Sequence, residues 1–228
     1  KSLLTNNKKY KVTINGRWEK QPEHCLSFEN PCLYGEDQII GEIITKNKKT
    51  LPPYEICFVG ALNDEKGVSL ILDCLEKFPN ELNIKTIHFA GDGNKKILYE
   101  KRAKSIDINI KFYGNLDRAS VFKLYEKCHF ILLPSKSEGF PKVIAEAANF
   151  GCIALVSAVS SIPQYIKNGK TGFLWKSKNI SFDHFLKNTL TQNKPGDFKR
   201  IQSNAYLMSK KFTFSNYLTK IKKQVLEI

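Results

Sequence analysis

The stretch YEICFVGALNDEKGVSLILDCLEKFP, residues 54–79, holds the unit from which the rest of the chain can be read. Tyr54–Val59 is a short, mostly apolar run of strand length, closed by Gly60. A polar loop carrying Lys66 follows, and then apolar residues recur at helical spacing up to Pro79. The rhythm repeats downstream. IKTIHFAG, INIKFYG, HFILLP and CIALVSA read as strands, and KKILYEKRAKS, DRASVFKLYEKC and PKVIAEAANFG as the helices between them, with a short helix near IPQYIKNG. Strands apolar on both faces that alternate with helices predict an α/β fold, a Rossmann-like parallel sheet covered by helices. Such sheets take ligands outside the carboxyl ends of their strands, where each loop considered below begins.

Composition bounds the function. At 228 residues and 42% hydrophobic, the chain can bury a sizeable core. No stretch reaches the roughly 18 apolar residues that would span a bilayer. The opening KSLLTNNKKYKV carries no secretory signal pattern and no initiator Met, as expected of a trimmed chain or fragment. Six cysteines make no C-x-x-C pair, and Cys57, Cys128 and Cys152 sit in apolar runs as small hydrophobes. A reducing, cytoplasmic compartment is the expectation, with the inner face of the membrane as a candidate peripheral location.

The formal net charge is +14, and residues 191–228 hold eight Lys or Arg against Asp197 and Glu227. Such a field favours anionic partners, among them nucleic acid, an acidic membrane surface and phosphorylated small molecules, or it simply solvates the surface. The lysines are scattered rather than interleaved with aromatic platforms, so nucleic acid is not the expected partner.

The loops carry the chemistry. In FVGALNDEKG, Gly60 lets backbone approach an anion, the following helix offers free N–H groups, and Lys66 adds a mobile cation suited to a diphosphate. Taken alone, this loop is read more simply as a surface lysine on a turn. FAGDGNKK starts like a dinucleotide fingerprint but lacks the third Gly and follows the second strand, which argues against NAD. NGKT at 168–171 resembles the end of a P-loop, yet Gln164 stands where the opening Gly would be needed. SEGFPKVIAEAANFGC, residues 137–152, is the sharpest feature. Pro141 suits the first turn of a helix, and Gly139 and Phe140 place free amides beside Glu138. Glu146 lies inside that helix. Two acids would repel a phosphate, but they can accept hydrogen bonds from hydroxyls, a hexose pair for Glu138 and a ribose pair for Glu146. Spacing alone leaves two solvent-facing glutamates equally open.

Taken in order, FVGALNDEKG, FAGDG, FYG, LDRASVFKLYEKCHFILLPSKSEGFPKVIAEAANFG and KNGKTGFL make residues 55–175 resemble the carboxyl-terminal, donor-binding domain of the family 4 retaining glycosyltransferases, which have the two-domain GT-B architecture. The resemblance implies a diphosphate contact for Lys66 and the two acids of an E-x7-E motif for Glu138, at the sugar, and Glu146, at the ribose. It implies backbone approach at Gly139, Phe140 and Pro141, and passage near the base for Asn115 and Leu116. It also implies domain limits: residues 1–50 as the end of an amino-terminal domain and linker, 51–191 as the donor-binding domain, and 192–228 as helices crossing back.

Two stretches depart from the pattern. Ala61 stands where the family usually has an Arg, and Ser160, Ser161, Ile162, Pro163 and Gln164 replace a Gly-Gly-x-x-Glu. A chain of 228 residues is also too short for both GT-B domains.

The implied activity is transfer of a sugar, with retention, from a UDP-, GDP- or ADP-sugar to a saccharide or lipid-linked saccharide in bacterial surface polysaccharide synthesis. Glu138 and Lys66 are the expected catalytic groups, with no metal, no cofactor and no transfer by the fragment alone. The alternatives are a non-catalytic nucleotide-binding module and a GT-B-like nucleotide-sugar epimerase. Residues 192–228 are expected to be helical, to pack away from the ligand edge, and to reach residues 1–30 with the last helix.

Overall fold

The structure is a computed structural model and describes residues 10–226. Its centre is an alternating run: β3 (Tyr54–Val59), α2 (Val68–Lys77), β4 (Ile84–Ala90), α3 (Lys96–Ala103), β5 (Asn109–Phe112), α4 (Arg118–Lys127), β6 (Phe130–Leu133), α5 (Lys142–Asn149), β7 (Ile153–Ser157), α6 (Ile162–Tyr165) and β8 (Phe173–Trp175). Before it come β1 (Val12–Asn15), β2 (Cys25–Phe28) and α1 (Gly35–Asn47). After it come α7 (Phe182–Gln192), α8 (Pro195–Ser209) and α9 (Phe214–Ile221), the last running into one turn of π-helix.

The central sheet has the order β5-β4-β3-β6-β7-β8, and every pairing is parallel. This is the helix-wrapped Rossmann-like sheet that the sequence predicts. Phe58, Phe89 and Phe112 are direct cross-strand neighbours and their rings pack in a row, at 5.7 Å and then 4.9 Å between centroids. Two strands differ from the expectation. β8 adds a sixth strand that three residues of GFLW are too short to announce. β5 alternates exposed and half-buried residues because it is an edge strand.

Strand order reverses between β3 and β6, which leaves a crevice at their carboxyl ends. The neighbouring chain ends are pressed together there. Gly91 has φ +137°, and a Cβ on it would lie 1.9 Å from the Gly60 carbonyl oxygen. Only glycine allows the backbones after β3 and β4 to touch in this way.

α1 is the element that the sequence left unread, and it is built inside out. Its buried side carries Asp37, Gly41 and Thr45, while Ile39, Ile40 and Ile43 are exposed. Polar pairing replaces apolar packing at the inner face. Asn149 of α5 donates to the Asp37 carbonyl (2.8 Å) and accepts from the Gln38 amide (2.5 Å). Thr45 donates to the Asn149 carbonyl at 3.2 Å. Just beyond α1, the Lys48 ammonium donates to the carbonyls of Tyr125 (2.7 Å), Cys128 (2.8 Å) and Phe150 (2.6 Å). These are the carboxyl ends of α4 and α5, where a cation offsets the helix dipoles and satisfies open carbonyls.

The tail is helical, as expected. Its last helix reaches the amino-terminal ribbon: Tyr217 packs edge-on against Phe28, and Lys220 pairs with Glu29. It does not stay clear of the ligand edge. Phe212 stacks on Phe140 at 4.6 Å, and its carbonyl accepts from the amides of Cys32 and Leu33. Of its apolar positions, Phe212 is buried, Phe214, Tyr217, Ile221 and Val225 are half-buried, and Leu218 is exposed.

Replacing Lys48 by Met keeps the stem and removes the donors. Leaving the Phe150 carbonyl without its side-chain donor, and those of Tyr125 and Cys128 with only the Cys152 thiol, costs about 2–4 kcal/mol. Urea unfolding measures this directly, and a loss below about 0.5 kcal/mol would mean that the ammonium does not hold α4 and α5.

Candidate active site

The loops that leave β3 and β6 meet at the reversal point. Lys66 and Glu138 form an ion pair there, Nζ to Oε1 at 2.5 Å, although 72 residues separate them. The Glu138 side chain is only 8% exposed and that of Lys66 31%, so the pair is sheltered on the acid's side. Asn63 accepts from the Lys66 amide at 2.9 Å and closes the turn that presents the lysine. A Cβ on Gly67, the next residue, would lie 2.3 Å from the Pro134 carbonyl oxygen. The two loops therefore approach backbone to backbone before their side chains meet.

Beyond Glu138 the chain turns through Gly139, Phe140 and Pro141 into α5. Pro141 is the N-cap residue, with extended φ and ψ and no side-chain cap. Among the described residues, no hydrogen bond engages the amides of Gly139, Phe140, Lys142 or Val143. Free amides at a helix start beside a lysine suit an anionic ligand. The Phe140 side chain takes no part in this. It is buried between Tyr165 and Phe212, at 4.6 Å from each ring, and so pins the turn from behind.

Gly60, Asn115 and Leu116 line a cavity of about 320 Å³ with Val59, Ala61, Ala90, Gly91, Asp92 and Val121. Lys66, Glu138 and Glu146 do not line it. The cavity lies where β3, β4 and β5 end, beside the turn that carries the ion pair.

Glu146 faces the α4 side. Its neighbours are Arg118, Lys142, Asp37 and the buried ring of Tyr125. Burial raises its pKa above the usual carboxylate range, although Arg118 and Lys142 pull the other way. Sequence reasoning missed Arg118 and Asp37. The Arg118 guanidinium donates to both Asp37 carboxylate oxygens, at 2.5 and 3.3 Å, and to the Cys32 carbonyl at 3.1 Å. It also lies 4.1 Å from the centre of the Phe122 ring. No local motif marks Arg118, because its partners come from a distant and unread part of the chain.

The departures from the expected pattern have structural consequences. Ala61 is exposed and brings no cation to the cavity it lines. Gln164 is committed elsewhere, donating to the Arg17 carbonyl (2.6 Å) and accepting from its amide (2.8 Å), which ties α6 to the amino-terminal ribbon. Among the described residues, no group of three or more His, Cys, Asp or Glu is gathered to hold a metal ion. No described helix is long and apolar enough to cross a membrane.

Comparison with known proteins gives a consistent result. The chain is 29% identical over 131 residues to a glycogen synthase of Mycobacterium tuberculosis, covering 57% of this chain and 32% of that protein. Against a Methanocaldococcus jannaschii glycosyltransferase it is 27% identical over 177 residues, covering 75% and 47%. The chain thus spans about a third to a half of the length of these relatives. Among solved structures, Anabaena HepE with UDP and glucose superposes with a TM-score of 0.69 at 18% identity, covering 91% of this chain and 58% of that one. That likeness shows the fold alone. The family model for glycosyl transferases group 1 matches residues 40–194, well over half of the sequence, and the chain belongs to that family.

Proposed function

We propose that this chain is the donor-binding half of a retaining glycosyltransferase, which takes a sugar from a nucleoside diphosphate sugar and passes it to a saccharide or lipid-linked saccharide. The observation that carries the proposal is the Lys66–Glu138 pair beside the open amides of the α5 turn. A diphosphate has use for the cation and the amides, and a sugar hydroxyl has use for the carboxylate. Glycosyl transfer needs both at one place.

In this reading the diphosphate lies against Lys66 and the amides of Gly139 and Phe140, with Gly60 admitting backbone approach. The base extends into the cavity past Asn115 and Leu116, and the ribose lies between that cavity and Glu146, which accepts from its hydroxyls. Ligand entry replaces the Lys66–Glu138 contact, which frees the ammonium for the phosphate and the carboxylate for the sugar. Charge develops on the departing diphosphate, where Lys66 and the helix amides stabilise it. Glu138 neighbours a cation and no proton relay, so it acts as an acceptor that orients the sugar. The acceptor hydroxyl then arrives on the face that the diphosphate leaves: its oxygen bonds to the anomeric carbon as the bond from that carbon to the phosphate oxygen breaks, and its proton passes to the departing phosphate oxygen. Residues 51–191 form the donor domain, with the flanking segments joining it to an acceptor domain. A nucleotide-sugar epimerase would need a histidine poised beside the sugar, and His88 is instead buried against Glu55 and Tyr113.

Calorimetry against UDP-, GDP- and ADP-sugars tests the reading, and failure to bind any of them would overturn it. With the tightest donor, Lys66→Ala is expected to weaken affinity by roughly ten- to a hundred-fold, the worth of one charge-assisted contact. Glu138→Gln should behave differently. The bare nucleoside diphosphate binds it at least as tightly as it binds the wild type, while the sugar-bearing donor loses its advantage. Equal loss for both ligands would move Glu138 off the sugar.

Glu146 adds a pH signature. Because its folded pKa is raised, the native state binds the proton more tightly, and stability falls as pH rises from the unfolded value through the folded one. Glu146→Gln should therefore melt higher than the wild type at pH 7, with the gain gone below about pH 4. The same variant should bind the donor more weakly. Thermal melts at the two pH values check the sign, and a lower melting point at pH 7 would refute it.

A further inference from the structure

The inverted polarity of α1 calls for an occupant on its outer side. Ile39, Ile40 and Ile43 are 65%, 48% and 57% exposed and fall on one stripe of the helix. Among the described residues nothing covers them. Leu207 of α8 (57% exposed) and Leu51 (45% exposed) are further exposed apolar residues on the α1–α8 side. The groove holding Leu207 and the one holding Leu51 share Lys46 and Lys199, and Lys46 lies one turn beyond Ile43 on α1. Lysines border it: Lys46, Lys49 and Lys210, against Glu36 on α1 and Glu42, which pairs with Lys46 at 2.7 Å, while Lys199 is spent on the carbonyls of Thr45, Lys46 and Lys48.

We propose that this face of α1 docks on an anionic phospholipid surface, with the isoleucines entering the headgroup boundary and the lysines meeting the lipid phosphates. An apolar stripe rimmed by lysines is the pattern of a helix that lies in the plane of a membrane. A second copy of the chain fits less well. A two-fold contact would set the same lysines against one another, and like charges at an interface oppose association. The inference deepens the reading of a lipid-linked acceptor by giving the enzyme a way to reach it. Its test uses no donor sugar, so its failure is distinguishable from failure of the donor site.

The experiment is co-sedimentation of the chain with vesicles of pure phosphatidylcholine and of phosphatidylcholine with 30% phosphatidylglycerol (about a third anionic lipid, as in an acidic leaflet). Binding is expected to the anionic vesicles alone and to fall as salt rises. Ile39→Ser/Ile43→Ser should lower the partition constant at least ten-fold. Lys49→Glu/Lys210→Glu should lower it as much or more, since each lysine near such a surface contributes about five-fold. Both variants change exposed positions, and an unaltered melting curve verifies that they fold. Three results would overturn the proposal: no binding to anionic vesicles, equal binding by the isoleucine variant, or a wild-type dimer in sedimentation equilibrium that this variant dissociates.

Discussion

One ammonium group orders the helices behind the site. Lys48 sits where α4 and α5 finish and gathers three carbonyl oxygens from their ends. These helices begin at the other edge of the sheet, beside Asn115 and Pro141, so fixing their ends fixes where they start. The arrangement is economical because each helix end needs a donor and one side chain supplies both. The Cys152 thiol reinforces it by sharing its one S–H between the Tyr125 and Cys128 carbonyls, at 3.1 and 3.0 Å. Burial and charge around the crevice then follow from the placement of these two helices.

The sheet and its helices were legible because a buried parallel strand leaves an apolar run that few other structures share. The Gly60, Lys66 and Glu138 loops were legible for the same reason: each follows such a run at a fixed end. α1 escaped because its pattern is largely inverted, with Asp37, Gly41 and Thr45 inward and three of its four isoleucines outward. A rule that places apolar residues inside cannot find such a helix. Arg118 escaped because its meaning depends on Asp37 across that helix. The stack of Phe212 on Phe140 escaped too, since nothing local in either segment announces the other.

The site retains groups that do not help the fold. Glu146 is kept in surroundings that favour its neutral form, and Glu138 is nearly enclosed with a single cation for company. The proposed function gives both positions a use in holding a donor, and packing alone gives Glu146 none. Ala61 and Gln164 mark the other side of that balance. One removes a charge from the cavity, and the other turns a polar side chain to joining α6 with the amino-terminal ribbon.

The contact between Phe140 and Phe212 has a consequence for communication across the molecule. Phe140 belongs to the turn whose amides stand open, and Phe212 belongs to the segment that bonds to Cys32 and Leu33 and leads into α9. In the proposed reading, ligand and tail act on opposite sides of one ring. Whatever free energy a ligand gains by steadying the turn is felt equally by the tail, because coupling between two sites is reciprocal. A displaced α9 would withdraw the support behind Phe140 and loosen the turn that presents Glu138. The carboxyl-terminal helix is thus a lever on the crevice, although it contributes no group to the crevice itself.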